Sequence, residues 1–251
     1  MLIWIIIFSI LGSVGAIIIA AIFVFLGDKI QKALIPTLIA FATGVLLAVA
    51  FLGLIPESIE KVGEPHLIMP FILGGILFFF IMEKIVIWRN CRDNTCEVHS
   101  HASGPIILLG DSLHNLTDGI VIAAAFLGGL NLGIVAGLTI IIHEISHETA
   151  DFGILLHSGY SKKKAFVYNM ISSFPTIPAS ILSFFILGVL ESIVPFFLAI
   201  SAASFIYIAL SDLTPDLHKH SDFKYIIRQL ATIFIGILLM ALILSIGGHN
   251  H

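Results

Sequence analysis

The chain has 251 residues, of which 58% are hydrophobic and 11% charged, against about 25% charged in an ordinary soluble domain. Mean hydropathy is +1.09, and 12 Lys+Arg face 16 Asp+Glu for a net charge of −4. These figures exclude a soluble globular fold, a disordered chain and a nucleic-acid binder, which needs a basic surface for phosphates. Two cysteines cannot make a disulfide framework. With the lipid bilayer as solvent, the backbone must satisfy itself as helices or as a closed barrel.

A transmembrane helix takes about 20 mostly apolar residues. Eight such runs are predicted in order, at 2–26, 34–55, 67–88, 105–127, 132–157, 165–190, 195–211 and 225–246. They are continuous, whereas barrel strands would be short and alternating. The first has no basic leader and is too long for a signal-peptide core, so it reads as a retained span. The expectation is an all-α integral membrane protein, one domain over 1–251, with eight helices in a 3+2+3 arrangement.

Basic residues test that count independently. Lys29 and Lys32 follow span one; Lys84, Arg89 and Arg92 lie near the end of span three; Lys162, Lys163 and Lys164 follow span five; Lys219, Lys224 and Arg228 follow span seven. Eleven of the twelve therefore fall on one side, and Lys61 alone on the other. By the positive-inside rule the crowded side is cytosolic and both termini lie outside. The compact chain favours a bacterial inner membrane over an organelle.

Spans four and five carry polar residues where hydrocarbon should exclude them: Asp111, His114, Asn115 and Asp118, then His143, Glu144, His147, Glu148 and Asp151. A charge at mid-membrane costs about 3 kcal/mol on insertion scales, and neither span contains a Lys or Arg to neutralise it. Protons, water or bound cations remain. His114 and Asp118 stand i,i+4 and share one helical face, as do His143 and His147. Asn115 and Glu144 each sit about 100° further round. The two spans thus repeat one signature, H-N-x-x-D against H-E-x-x-H, on antiparallel neighbours joined by a loop near Gly128–Asn131. Imidazole and carboxylate at this density indicate a first-row divalent metal site. The positions allow two adjacent ions bridged by Asp118. A lone histidine in a membrane helix is more often an interhelical hydrogen bond, but two matched pairs without a balancing cation point to metal.

At these residues the sequence resembles the ZIP (Zrt/Irt-like protein) family of divalent-metal transporters. G-D-S-L-H-N-L-T-D-G at 110–119 resembles the family's fourth-span motif. H-E-I-S-H-E-T-A-D-F at 143–152 resembles the fifth-span motif of the branch carrying H-E-x-P-H-E. The resemblance covers the whole chain and implies zinc as transported substrate, with iron, manganese or cadmium as other candidates, moving towards the cytosol with no catalytic cofactor. Carried over by position, His114, Asp118, His143 and His147 would form the main metal site, and Asn115, Glu144 and the bridging Asp118 a second. Ser146 stands where many members of that branch have proline. Some members supply an acid from span six; here Asn169, Ser172 and Ser173 are the only stand-ins.

Spans two and seven are faintly alike, ending L-G-L-I-P-E at 52–57 and L-S-D-L-T-P-D at 210–216. The likeness suggests an inverted repeat, common in secondary transporters, with Glu57 at an outer entrance and Asp212 and Asp216 at an inner exit. Equally, Pro followed by an acid is an ordinary helix end. Pro175 and Pro178 should break span six. The segment 89–104, with Cys91, Cys96, His99 and His101, is expected to be a cytosolic loop with reduced thiols that could collect delivered metal. His218 and His220 lie on the same side; His249 and His251 read as solvated tail. Gly74-Gly75 offers a small-residue face for a homodimer.

The rival function is hydrolytic: H-E-I-S-H at 143–147 matches the H-E-x-x-H of metalloproteases, two zinc ligands and a glutamate base. The paired signature on span four is not something a hydrolase requires, so the chain reads as a transporter and not an enzyme. Its partners are then divalent ions and lipid.

Overall fold

In a computed structural model of the protein, the described residues are 1–24, 28–90, 104–157, 159–218 and 222–247. They are helical almost throughout, with no strand among them. Helix α1 (Leu2–Ile10) passes through a π-helical turn (Leu11–Gly15) into α2 (Ala16–Val24). Helix α3 (Asp28–Val49) passes likewise through a π turn (Ala50–Leu54) into α4 (Ile55–Val62). Helices α5 (Pro65–Asn90), α6 (Gly104–Gly128) and α7 (Leu130–His157) follow. Then come α8 (Lys162–Ser173) and α9 (Thr176–Val189), and a short 3-10 turn (Glu191–Ile193) leads into α10 (Val194–Tyr207). Another π turn (Ile208–Leu213) joins α10 to α11 (Thr214–Leu217), and α12 (Phe223–Gly247) ends the described chain.

Seven helical stretches among the described residues are long and apolar enough to cross a membrane: Leu2–Ile22, Leu34–Val62, Pro65–Ile85, Leu130–Gly153, Lys162–Val189, Glu191–Ser211 and Phe223–Ser245. Helix α6, 25 residues long, corresponds to the fourth expected span. It is not among the seven. The protein is therefore a multi-pass, all-helical membrane protein. Its outward surface suits lipid: Phe234 and Leu238 on α12 are 60% and 66% exposed, an arrangement favourable only where hydrocarbon covers it.

The helices of the second and seventh expected spans run on past the prolines that were expected as possible helix ends. Helix α4 continues through Pro56 to Val62 and stops at Gly63, whose φ of 77° is the left-handed conformation glycine supplies at a helix C-terminus. A proline ring clashes with the carbonyl four residues earlier. In hydrocarbon a broken helix would leave that carbonyl without a partner, and a π turn instead gives the ring room. Leu52 lies in one such turn before Pro56, and Ser211 in another before Pro215. The Thr214 hydroxyl donates to the Ala209 carbonyl at 2.7 Å, recovering an acceptor that the widened turn frees. Glu57 is ion-paired with Lys61 at 3.0 Å. The side chains of Asp212 and Asp216 are not among those described, and Cys91, Cys96, His99, His101, His220, His249 and His251 lie outside the described residues.

Glycines set the closest helix approaches. A Cβ on Gly44 of α3 would strike the Ile233 carbonyl of α12, and one on Gly236 of α12 would lie 2.8 Å from the Phe41 carbonyl. The two backbones thus touch reciprocally, as small residues permit in membranes. Gly75 is used inside the chain, because a Cβ there would be 2.6 Å from Ala203 of α10, whereas Gly74 has open space. Helices α6 and α7 form a tight hairpin turned over Gly129, with the Phe126 ring laid against Gly133. This antiparallel pair brings the polar residues of both helices to one depth.

Candidate metal site

Four groups converge between α6 and α7. Asp118, His143 and Glu144 are fully buried, and His114 has 16% side-chain exposure. His143 Nε2 lies 3.2 Å from His114 Nε2, 3.1 Å from Asp118 Oδ2 and 3.5 Å from Glu144 Oε1. His114 Nε2 lies 3.2 Å from Glu144 Oε1 and 3.7 Å from Asp118 Oδ2. Ligands about 2.0–2.1 Å from a tetrahedral metal sit roughly 3.3 Å from one another, which is the spacing found here. Three groups thus crowd His143 Nε2. Its other nitrogen, Nδ1, is 3.0 Å from the Thr139 carbonyl. Donating there fixes the tautomer that turns the Nε2 lone pair inward, as metal-binding histidines are commonly held.

The other expected ligands are placed differently. His147 stacks on His114, with ring centroids 5.1 Å apart, and lies 5.9 Å from the His143 ring. Its buried Nε2 has no hydrogen-bond partner, but it is outside the group whose ligand atoms all lie within 4.8 Å of one another. Asn115 is engaged elsewhere. Its amide donates to the Asp111 carbonyl (3.1 Å) and to Asp111 Oδ1 (2.9 Å), and its own oxygen accepts from Thr176 Oγ1 at 2.8 Å. The stand-ins from span six, Asn169, Ser172 and Ser173, are all buried on α8, and the Ser173 hydroxyl donates to Glu148 Oε1.

Local sequence accounts for these positions. Pro175 cannot continue the α8 backbone ladder, so the chain turns at Phe174–Pro175 before α9 begins. Gly119, beside Asp118, lets α9 press against α6: a Cβ there would strike the Thr176 carbonyl and lie 2.9 Å from Ser180 N. That approach brings Thr176 onto Asn115. With Ser146 at this position, α7 is one unbroken helix from Leu130 to His157.

A helical membrane bundle that buries imidazole and carboxylate at metal spacing belongs to the class of polytopic metal-handling membrane proteins. The model of the ZIP zinc transporter family matches residues 1–106 and 91–244, and the chain belongs to that family. It is 28% identical to zinc transporter zipt-7.2 of Caenorhabditis elegans, over 84% of this chain and 58% of that one. Identity is 27% with the zinc transporter ZIP13 homolog of Drosophila melanogaster, over 88% of this chain and 81% of the other. With zinc transporter ZIP13 of Pongo abelii it is 31%, over 82% and 65%. The chain thus spans between 58% and 81% of the length of these relatives.

Proposed function

We infer that the protein transports divalent metal ions, zinc foremost, into the cytosol through the site between α6 and α7. The observation that carries this reading is the fully buried set Asp118, His143 and Glu144 with His114, on two helices that contain no Lys or Arg. An incoming ion exchanges its water for these four groups, and His147 stands next to them as a fifth donor for an ion in transit. The donor mix of nitrogen and oxygen suits zinc and also admits iron, manganese and cadmium.

Around the site we read eight spans in a 3+2+3 arrangement, α6 being the eighth, with both termini outside a bacterial inner membrane. The eleven-to-one split of basic residues supports that orientation. The shared π turn and proline in the second and seventh expected spans support an inverted repeat. Gly74 remains free for a homodimer face, while Gly75 does not.

The hydrolase alternative loses support on two counts. The family is one of zinc transporters. In addition, Glu144, which would have to stand off the metal as a base, has an oxygen 3.2 Å from His114 Nε2, inside the ligand group. The test is zinc uptake by purified protein in liposomes. Wild type should load the vesicles and His143→Ala should fall to the background of empty vesicles; equal uptake by the two would reject the site.

A further inference from the structure

The histidine site is walled by a third helix. Phe205 of α10 is fully buried, and its ring meets that of His143 nearly edge-on, with centroids 6.0 Å apart and planes at 70°. The approach is built into α10. Ser201, Ala202, Ala203 and Ser204 are all buried and small, and Phe205 is the first large side chain after them. Ala203, two residues earlier and about 200° round the helix, faces the other way. A Cβ on Gly75 of α5 would lie 2.6 Å from it. Helix α10 is thus held between α5 and the site, and cannot retreat from α7 without pressing into α5. The two histidines differ accordingly: His114 keeps 16% side-chain exposure, while His143 against the Phe205 ring has none.

His114, Asp118, His143 and Glu144 supply four donors at tetrahedral spacing. Zinc takes four ligands in such a site, whereas manganese takes six, mostly oxygen, so here it would need water to complete its shell. Asp118 Oδ1 and both Glu144 oxygens are buried and make no hydrogen bond within the protein. Acceptors of this kind hold water wherever enough space opens beside them. On the His143 side the Phe205 ring takes that space. The apolar shell of a metal site controls its access to solvent.

We propose that Phe205 is a specificity-determining residue, whose ring keeps water out of the ion's coordination shell on the α10 side and so favours four-coordinate zinc over six-coordinate manganese. This rests on the transport reading above, in which those four groups hold the passing ion. Phe205 donates nothing to the ion and acts by the volume it fills. A smaller side chain admits water and moves the preference towards manganese. Leucine, apolar and still bulky, preserves it.

The test loads metal-stripped, full-length protein in lipid nanodiscs with one equivalent of Co²⁺, whose visible bands are intense in four-coordinate sites and weak in six-coordinate ones. Zn²⁺ and Mn²⁺ affinities are measured alongside by titration calorimetry. Wild type should give the intense bands, Phe205→Ala the weak ones, and Phe205→Leu the wild-type spectrum. In Phe205→Ala the ratio of Mn²⁺ to Zn²⁺ affinity should rise at least about tenfold, the lower end of effects on disturbing the surroundings of a metal. Phe205→Val opens less space and carries the same test if the alanine variant does not fold. Intense bands and an unchanged ratio in Phe205→Ala overturn the proposal and leave the site standing. Weak bands in Phe205→Leu point to lost packing alone and overturn it as well, and weak bands in wild type overturn it with no variant needed. Co²⁺ binding that survives His143→Ala unchanged would overturn the site on which the proposal rests.

Discussion

Two helix pairs in this protein meet by opposite means. Helices α3 and α12 touch backbone to backbone through Gly44 and Gly236, with apolar side chains on either side. Helices α6 and α7 meet through Asp111, His114, Asp118, His143, Glu144 and Glu148, at a depth where such groups are expensive. In a bilayer, where lipid is as apolar as Leu, the first pair gains from close packing alone. The second gains little unless something neutralises its acids. Under the proposed metal reading, stability and function are carried by separate interfaces, and a substitution should disturb one without the other.

The largest expected effect tests that separation directly. Asp118→Ala should bring zinc uptake to background while the purified protein stays monodisperse and melts as wild type. Gly44→Val should do the reverse, since the new side chain meets the Ile233 backbone; overpacking of this kind costs about 1–3 kcal/mol. It should lower the thermal midpoint and the yield, with zinc affinity of the surviving fraction unchanged. If both variants lost stability and affinity together, the two interfaces would not be separable.

Next in size is Asn115→Ala. It removes the donor to Asp111 Oδ1 and the acceptor for Thr176 while leaving His114, Asp118, His143 and Glu144 in place. Losing an outer partner of this sort typically costs 10–100-fold in metal affinity or activity. Uptake should drop within that range, and a fall to background would make Asn115 a direct ligand after all.

The smallest effect is that of pH. Metal needs neutral imidazole, so protons compete with it as pH falls. Zinc affinity should weaken steadily from pH 8 to pH 5. An affinity flat from pH 5 to 8 would speak against imidazole ligation.

Much of this was legible in the sequence because helical periodicity is local. The pairs His114–Asp118 and His143–His147 announce a shared face, and the short turn at Gly129 puts the two faces at one depth. Asp111–Asn115 and Glu144–Glu148 are also i,i+4, so the contact between Asp111 and Asn115 is of the kind that spacing alone makes visible. Ser173 and Thr176 could not be found from spacing, since their contacts with Glu148 and Asn115 depend on how α8 and α9 pack. The prolines at 56 and 215 misled for a physical reason. In water a Pro-acid pair ends a helix, whereas in hydrocarbon the helix yields by one widened turn and continues.

The bend at Phe174–Pro175 has a mechanical consequence. Ser173, the last residue before it, grips Glu148 on α7, and Thr176, the first after it, grips Asn115 on α6. One short turn of backbone therefore ties α6 and α7 together from the side, and any sliding of those two helices past each other must first break one of its two hydroxyl contacts.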